Sequence, residues 1–244
     1  MFKWFCMICK LMFPFLFLLP KLKKHAKHKE KYSLEFRYHT VRNFIKKLSK
    51  AEKKSIDCVQ KEIIEQPHGG RIYITNHQSM DDICTMIELS KKPIRFISKI
   101  ENQNVFALGN AAKSLDCFFI DRNDVRQSLK VLKEAAIAAQ NGDDVLLFPE
   151  GTRSKTGEVL EFKSALTNLV QMAKVEVVIV ALDKTTLSLK KRAYRPFHVK
   201  ARVCKPISYE TFLEHKQDFT TYAQEILKQE LAKIREENQD DEHD

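Results

Sequence analysis

A histidine and a carboxylate lie five residues apart just after an apolar segment, at His77 and Asp82. The apolar residues 71 to 75 predict a strand and residues 80 to 89 predict a helix, so the histidine falls in the turn between them. If this turn folds back, Asp82 can reach one ring nitrogen of His77, fix its tautomer and leave the other nitrogen as a base. Such a pair would activate a hydroxyl group.

The same stretch also fits a helix cap. Ser79 followed three residues later by Asp82 is the spacing of a capping box, with Ser79 as the N-cap and the carboxylate reaching back to its backbone. The spacing alone does not choose between a catalytic pair and a cap, so both interpretations stand at this point.

The elements that must position this turn alternate along the chain. Helical patterns separate short apolar segments rich in β-branched or aromatic residues, and a further strand is predicted at residues 197 to 203. This alternation is typical of an α/β fold, with a largely parallel sheet flanked by helices. The predicted strands are residues 71–75, 94–98, 117–120, 145–148 and 175–182, and the predicted helices are residues 80–89, 102–114, 124–140 and 164–174. The pattern of residues 53–64 is ambiguous between helix and strand.

Three cationic side chains follow predicted strands in the same way as the histidine, at Lys99, Arg122 and Arg153. Because the carboxyl ends of parallel strands share one edge of a sheet, we expect these side chains near His77. Arginine binds phosphate in a bidentate manner, so the sequence predicts a hydroxyl substrate that carries phosphate. The alternative for Arg122 is a structural contact with Asp124 at the start of the next helix.

Composition limits the classes of protein and of partner. With 43% hydrophobic residues in 244, the chain can build a core and is not disordered. Its formal charge of +10 favours phosphorylated ligands, anionic lipid or nucleic acid as partners. The six cysteines form no zinc-binding pattern, since Cys6 and Cys9 have no matching second pair, and we expect reduced thiols on the cytosolic side.

The N-terminal region has the composition of a membrane anchor. An apolar run at residues 11 to 19 precedes a block with six lysines at residues 21 to 31, which excludes a cleaved signal and predicts docking on an anionic cytoplasmic leaflet. A tilted span over residues 4 to 20 is the alternative. With an amphipathic helix at residues 34 to 48, we expect an N-terminal anchor region over residues 1–66 and a second domain over residues 67–244.

Three blocks together resemble the glycerolipid acyltransferase family, most closely its 1-acyl-sn-glycerol-3-phosphate acyltransferases. They are Asn76-His77-Gln78-Ser79-Met80-Asp81-Asp82, Phe119-Ile120-Asp121-Arg122 and Phe148-Pro149-Glu150-Gly151-Thr152-Arg153-Ser154. The pair Phe162-Lys163, soon after the third block, also matches a common family feature. Three departures occur: Asp116 stands where the family usually has glycine, residues 175 to 180 lack the prolines of its fourth block, and Ser164-Ala165 replaces a pair that usually ends in glycine. The resemblance implies a membrane-associated α/β enzyme that uses acyl-CoA or acyl-carrier protein as donor and forms phosphatidic acid, without a cofactor or metal.

The resemblance also implies roles for individual residues. His77, held by Asp82, would deprotonate the free hydroxyl of lysophosphatidic acid, and Arg122 and Arg153 would hold its phosphate. The other expected substrate-binding residues are Glu150, Gly151, Thr152 and Lys99.

Two alternatives to this reaction stay open. One is acyl transfer to or from another lipid, with glycerol 3-phosphate, a lysophospholipid or a lyso-aminolipid as acceptor. The other is a non-catalytic basic protein that binds membranes or nucleic acid. We expect no nucleic-acid partner, because no nucleic-acid-binding signature is present.

Overall fold

A computed structural model describes residues 16–105, 108–188 and 195–240, and within this part of the chain seven strands form one sheet. The strand order is β1-β7-β6-β2-β5-β3-β4. The strands are β1 (Lys54–Val59), β2 (Arg71–Thr75), β3 (Ile94–Lys99), β4 (Phe118–Ile120), β5 (Asp144–Leu147), β6 (Glu176–Asp183) and β7 (Phe197–Val203).

Neighbouring strands of the described sheet run parallel, except where β7 pairs antiparallel with β6. Consequently β2, β3, β4, β5 and β6 all end at the same edge. This arrangement confirms the prediction of an α/β fold with a largely parallel sheet. It brings the turns that follow these strands together.

Helices cover both faces of the sheet because successive residues of each strand point in opposite directions. The helices are α1 (residues 16–27), α2 (Leu34–Glu52), α3 (Glu62–Glu65), α4 (Asp81–Leu89), α5 (Leu108–Ser114), α6 (Val125–Gln140), α7 (Ala165–Ala173), α8 (Tyr209–Glu214) and α9 (Phe219–Asp240). On β2, Ile72 and Ile74 pack on the face covered by α6, α7 and α9, whereas Tyr73 packs on the face covered by α1, α2, α4 and α5.

Two segments differ from their sequence-based predictions. The helix predicted at residues 102 to 114 is a 3₁₀-helix at Ile100–Asn104 followed by α5, with residues 106 and 107 outside the described part. Residues 53 to 64, which fitted helix or strand equally, form β1 and the one-turn α3. Pairing of β1 with β7 selects the strand, and that contact is made between residues far apart in the sequence.

The N-terminal helices pack on the same core as the sheet. Leu18 and Leu22 of α1 and Tyr38 of α2 are buried against residues of α4 and α5, and β1 extends the sheet. The sheet therefore crosses the domain boundary that we placed between residues 66 and 67. Residues 1–15 of the expected anchor lie outside the described residues, and no described helix is both long and apolar enough to cross a membrane.

Candidate active site

The turn between β2 and α4 brings the histidine and the aspartate into contact. His77 Nδ1 lies 2.8 Å from Asp82 Oδ2, and the carboxylate is fully buried whereas 15% of the imidazole side chain is exposed. A carboxylate can only accept at this distance, so Nδ1 carries the proton and Nε2 presents its lone pair. Nε2 has no hydrogen bond to any described residue. The pair therefore has the geometry of a general base held by a carboxylate.

Asp82 also caps the helix, so the two interpretations of the motif describe one structure. Its Oδ2 accepts hydrogen bonds from the backbone N–H groups of Gln78, at 2.7 Å, and Ser79, at 2.8 Å. The hydroxyl of Ser79 accepts from the Asp81 N–H at 3.0 Å and donates to the Thr185 carbonyl. The hydroxyl is thus engaged with the backbone on both sides, as expected for a cap and not for a nucleophile.

A buried glutamate braces the turn from the neighbouring strand end. Glu150 follows β5, and its two oxygens accept from the backbone N–H groups of His77, at 2.7 Å, and Leu160, at 2.9 Å. Burial raises the pKa of Glu150, and these two donors offset part of the increase. The backbone of Ser154 donates to the His77 carbonyl at 2.7 Å. The contacts of Glu150 are therefore with the backbone around the histidine, and not with Arg153.

Asn76 fixes the other side of the turn. Its side chain donates to the Leu182 carbonyl at 2.8 Å and accepts from the Leu182 N–H at 2.9 Å, at the end of the adjacent strand β6. Asn76 is almost completely buried, so this two-point contact makes the turn rigid.

The imidazole lines a cavity of about 390 Å³ whose walls are mostly apolar. The ring of His77 stacks on Phe148, with centroids 4.0 Å apart. Side chains of α4, α6 and the strand ends complete the walls, which is the shape and chemistry expected of a site for an apolar chain. The apolar lining residues include Met80, Ile83, Ile97, Leu108, Ile120, Val125, Leu129, Leu132 and Leu147.

Three cationic residues share this cavity with the histidine, namely Lys99, Arg122 and Lys163. Lys99 pairs with Glu101 at 2.6 Å and Lys163 with Glu161 at 3.1 Å. Arg122 forms no hydrogen bond or ion pair with any described residue. The alternative role for Arg122, a structural contact with Asp124, is not observed. Asp124 instead caps α6 by accepting a hydrogen bond from the Gln127 N–H, and it does not pair with the guanidinium.

Of the remaining predicted site residues after β5, one lines the cavity and two do not. Gly151 lines the cavity with a φ of +71°, a left-handed conformation that favours glycine. Thr152 and Arg153 are exposed and are not among the described residues that line the cavity. Both belong to the same loop as Gly151, but of these three residues only Gly151 lines the cavity.

Lys163 was missed as a site residue by the sequence analysis. Its signal was the pair Phe162-Lys163 shortly after the third block, and its backbone N–H donates to the Pro149 carbonyl at 2.9 Å. This hydrogen bond holds the loop before α7 against the residues that follow the end of β5. The polar residues Ser98, Asn102, Ser128 and Asn168 also border the cavity, and no spacing in the sequence indicated them.

The first departure from the family pattern has a structural consequence. Asp116 has a φ of +54°, a conformation that costs non-glycine residues free energy and explains a preference for glycine here. In this chain its carboxylate pairs with the buried Arg37 of α2 at 2.7 Å and with Lys29. Asp116 thus links the start of β4 to the N-terminal helices.

Comparison with known proteins identifies the family. The family model described as Acyltransferase matches residues 55–183, which is more than half of the chain. The chain belongs to the Acyltransferase family. The resemblance indicated by the three motifs is therefore confirmed.

Relatives of this chain carry names that specify an acceptor. A 1-acyl-sn-glycerol-3-phosphate acyltransferase of Chlamydomonas reinhardtii is 33% identical over 144 residues, which cover 59% of this chain and 43% of that protein. The mouse 1-acyl-sn-glycerol-3-phosphate acyltransferase alpha is 30% identical over 143 residues, covering 57% and 50%. The chain spans about half the length of the curated relatives that it matches.

A solved structure shares the fold over nearly the whole chain. The 1-acyl-sn-glycerophosphate acyltransferase PlsC of Thermotoga maritima superposes with a TM-score of 0.64 and covers 92% of this chain and 98% of its own. At 22% identity the likeness shows the fold. Among the described residues of our chain, no group of three or more potential metal ligands is present.

Proposed function

We propose that the protein transfers a fatty acyl group from acyl-CoA or acyl-carrier protein to the free hydroxyl of 1-acyl-sn-glycerol 3-phosphate, forming phosphatidic acid. The observation that carries this proposal is the His77–Asp82 contact of 2.8 Å at the wall of a largely apolar cavity with cationic residues. The names of the relatives support the acceptor. The reaction joins an apolar chain to a phosphorylated alcohol, and the cavity offers surfaces for both.

The reaction needs one general base and no covalent enzyme intermediate. Nε2 of His77 takes the proton of the acceptor hydroxyl as its oxygen bonds to the thioester carbonyl carbon. The carbon–sulfur bond then breaks, and the leaving thiolate receives a proton from the imidazolium. Asp82 stabilises the positive charge on the ring between these two proton transfers.

The cationic residues serve the phosphate of the acceptor in this proposal. Arg122 is the strongest candidate, since it lines the cavity and its guanidinium forms no hydrogen bond or ion pair with any described residue. Lys99 and Lys163 pair with the exposed carboxylates of Glu101 and Glu161, and a phosphate can displace such weak exposed pairs. Arg153 is exposed and does not line the cavity, so we assign it a smaller contribution to binding of the acceptor phosphate.

We place the reaction at the cytoplasmic face of a membrane. In α1 the side chains of Leu16 and Phe17 are 59% and 58% exposed, beside the exposed lysines of the basic block. Exposed apolar groups next to lysines suit an anionic lipid surface. Leu18 and Leu22 pack into the core instead.

Radiolabelled acyl donors test the proposal directly. Purified protein is incubated with acyl-CoA or acyl-carrier protein and, in parallel, with lysophosphatidic acid, glycerol 3-phosphate, lysophosphatidylcholine and a lyso-aminolipid. We expect labelled phosphatidic acid as the main product. Label in a different product would reassign the acceptor, and no transfer to any acceptor would overturn the proposal.

Two variants make the assay specific for the mechanism. His77→Ala should lose about 10²- to 10⁴-fold in kcat because it lacks the base. Ser79→Ala, in the same turn, should lose at most about tenfold, since the hydroxyl is a cap and not a nucleophile. A greater loss in Ser79→Ala than in His77→Ala would contradict the assignment of the base.

A further inference from the structure

A long loop connects β5 to α7 and carries several contacts of the site. This β5–α7 loop, residues 148–164, contains no helix or strand. Within it Glu150 accepts from the His77 N–H, and the Ser154 N–H donates to the His77 carbonyl. A connection of this length without secondary structure is uncommon in a compact domain. Because no helix or strand hydrogen bonds hold the loop, its shape depends on contacts with other elements.

The C-terminal helix α9 is a firmly packed neighbour of this loop. Its buried side chains recur at every third or fourth position, so one face of the helix packs against β6 and β7. These side chains are Phe219, Ala223, Leu227, Leu231 and Ile234. Side chains beside this face are therefore held at fixed positions relative to the sheet.

Gln224 of α9 is linked to His77 through two residues of the loop. Its side-chain amide donates to the Leu160 carbonyl at 2.7 Å. The Leu160 N–H donates to one oxygen of Glu150 at 2.9 Å, and the other oxygen of Glu150 accepts from the His77 N–H at 2.7 Å. A continuous chain of hydrogen bonds thus runs from α9 to the backbone of His77.

A second side chain of α9, Arg235, contacts the same loop at Gly157. Its guanidinium donates to the Gly157 carbonyl at 2.6 Å and pairs with the Glu158 carboxylate at 3.3 Å. The Gly157 carbonyl also accepts from the side chain of Gln78 at 3.2 Å, and Gln78 directly follows His77. One carbonyl oxygen therefore joins α9 to the turn that holds His77.

These two links give α9 an effect on the site without contact with substrate. Gln224 and Arg235 are not among the described residues that line the cavity. Both donate to carbonyls of a loop that is hydrogen-bonded to the backbone of His77. A general base acts only within hydrogen-bond reach of the proton that it removes, so a displaced turn lowers the rate of the reaction.

We propose that Gln224 and Arg235 are positioning residues of the active site: from α9 they hold the β5–α7 loop in the shape that fixes the backbone of His77. For catalysis the inference rests on the proposed acyl transfer. The effect on the backbone of His77 is measurable without any activity.

Methionine substitutions remove each link with little change in side-chain volume. Gln224→Met and Arg235→Met lose the donors to the two loop carbonyls. Gln229→Met is the matched control for the first, because it makes the same change at an exposed position of α9. Lys233→Met is the control for the second, because it removes an exposed cation from the same helix.

Backbone amide hydrogen exchange is the first readout. The N–H groups of His77 and Leu160 both donate to Glu150, so a loosened loop exposes both to solvent. Each should exchange about fivefold faster in Gln224→Met and Arg235→Met than in the controls, as expected for the loss of about one hydrogen bond. A contact that serves stability alone would lower the melting temperature and leave the His77 amide at its wild-type rate.

Kinetics with lysophosphatidic acid and acyl-CoA provide the second readout. Gln224→Met and Arg235→Met should each lose about tenfold in kcat, because the base spends less time in the reactive geometry. KM for the acceptor should stay within about threefold, since neither side chain lines the cavity and Arg122 lies outside the loop. Both control variants should keep the wild-type kcat and KM.

The proposal is overturned if the His77 amide exchanges at the control rate in either methionine variant, or if kcat stays within about twofold of the control. If Arg235→Met does not fold, the Gln224 variant decides alone. If Gln224→Met does not fold, Gln224→Glu takes its place, because a carboxylate of similar size cannot donate to the Leu160 carbonyl. Absence of acyl transfer by the wild-type protein would contradict the proposed function, and the exchange rates would still decide the positioning role. The two failures are therefore distinguishable.

Discussion

Replacing Asp82 with asparagine tests the central contact of the site. In the wild-type structure Oδ2 of Asp82 accepts three hydrogen bonds, from His77 Nδ1 and from two backbone N–H groups, at 2.7 to 2.8 Å. An asparagine amide presents one accepting oxygen without charge and one donor group. If its oxygen keeps the backbone donors, its NH₂ group faces Nδ1 and favours the tautomer that places the proton on Nε2.

This reversal of the tautomer sets the size of the effect. A histidine with its proton on Nε2 cannot accept one there, so the general-base contribution is lost, about 10²- to 10⁴-fold in kcat. This loss corresponds to about 3 to 5 kcal/mol of transition-state stabilisation. The folded state loses charge-assisted hydrogen bonds, so the free energy of unfolding should fall by about 1 to 3 kcal/mol.

The assay measures kcat and KM for lysophosphatidic acid together with urea unfolding. Asp81→Asn is a matched control for kcat alone, because it makes the same chemical change one residue away, outside the contacts of the imidazole. Its free energy of unfolding should also fall, since Asp81 is an ion-pair partner of the buried Lys54. On the pH plateau it should keep kcat within about threefold of wild type. If folded Asp82→Asn protein turns over at the wild-type rate across the pH range, the pair is not the catalytic base and the reasoning fails.

Three further predictions follow from the other contacts of the site and of the N-terminal region. Arg122→Ala should raise KM for lysophosphatidic acid about tenfold or more, and Arg153→Ala should raise it less, because Arg122 lines the cavity and Arg153 does not. If both variants raise only the KM for acyl-CoA, these arginines bind the donor instead. Asp116→Gly should lower the free energy of unfolding by about 1 to 3 kcal/mol in urea titrations. Buried Arg37 loses its carboxylate partner, and this cost outweighs the gain from placing glycine at a positive φ. A more stable variant would show that the backbone conformation at residue 116 has the larger effect. High salt should not release the intact protein from anionic vesicles, whereas it should release a variant without residues 1–20. Salt screens the attraction between lysines and anionic lipid, but it does not weaken the insertion of apolar side chains. Complete release of the intact protein by salt would exclude the N-terminal segment as the anchor.

The sequence predicted the fold class and the position of the turn that holds His77 for a common physical reason. Apolar, β-branched segments of four to eight residues separated by amphipathic helices favour parallel strands, and parallel strands end at one edge. His77, Lys99, Arg122 and Gly151 each follow such a strand, so a local pattern was sufficient to bring them to one cavity. The spacing of His77 and Asp82 lies within one turn, and local geometry was sufficient there too.

The tertiary structure decided the features that depend on side-chain direction and on contacts between distant segments. Arg153 follows a strand as Arg122 does, yet it is exposed and does not line the cavity, and strand position alone does not predict this difference. Glu150 braces the backbone of His77, 73 residues away. The sequence pattern of residues 53 to 64 was ambiguous, and only the pairing of β1 with β7 made this segment a strand and placed Lys54 under Asp81. Periodicity fixes which face of an element is apolar, whereas the partners of its polar groups are fixed when the whole core packs.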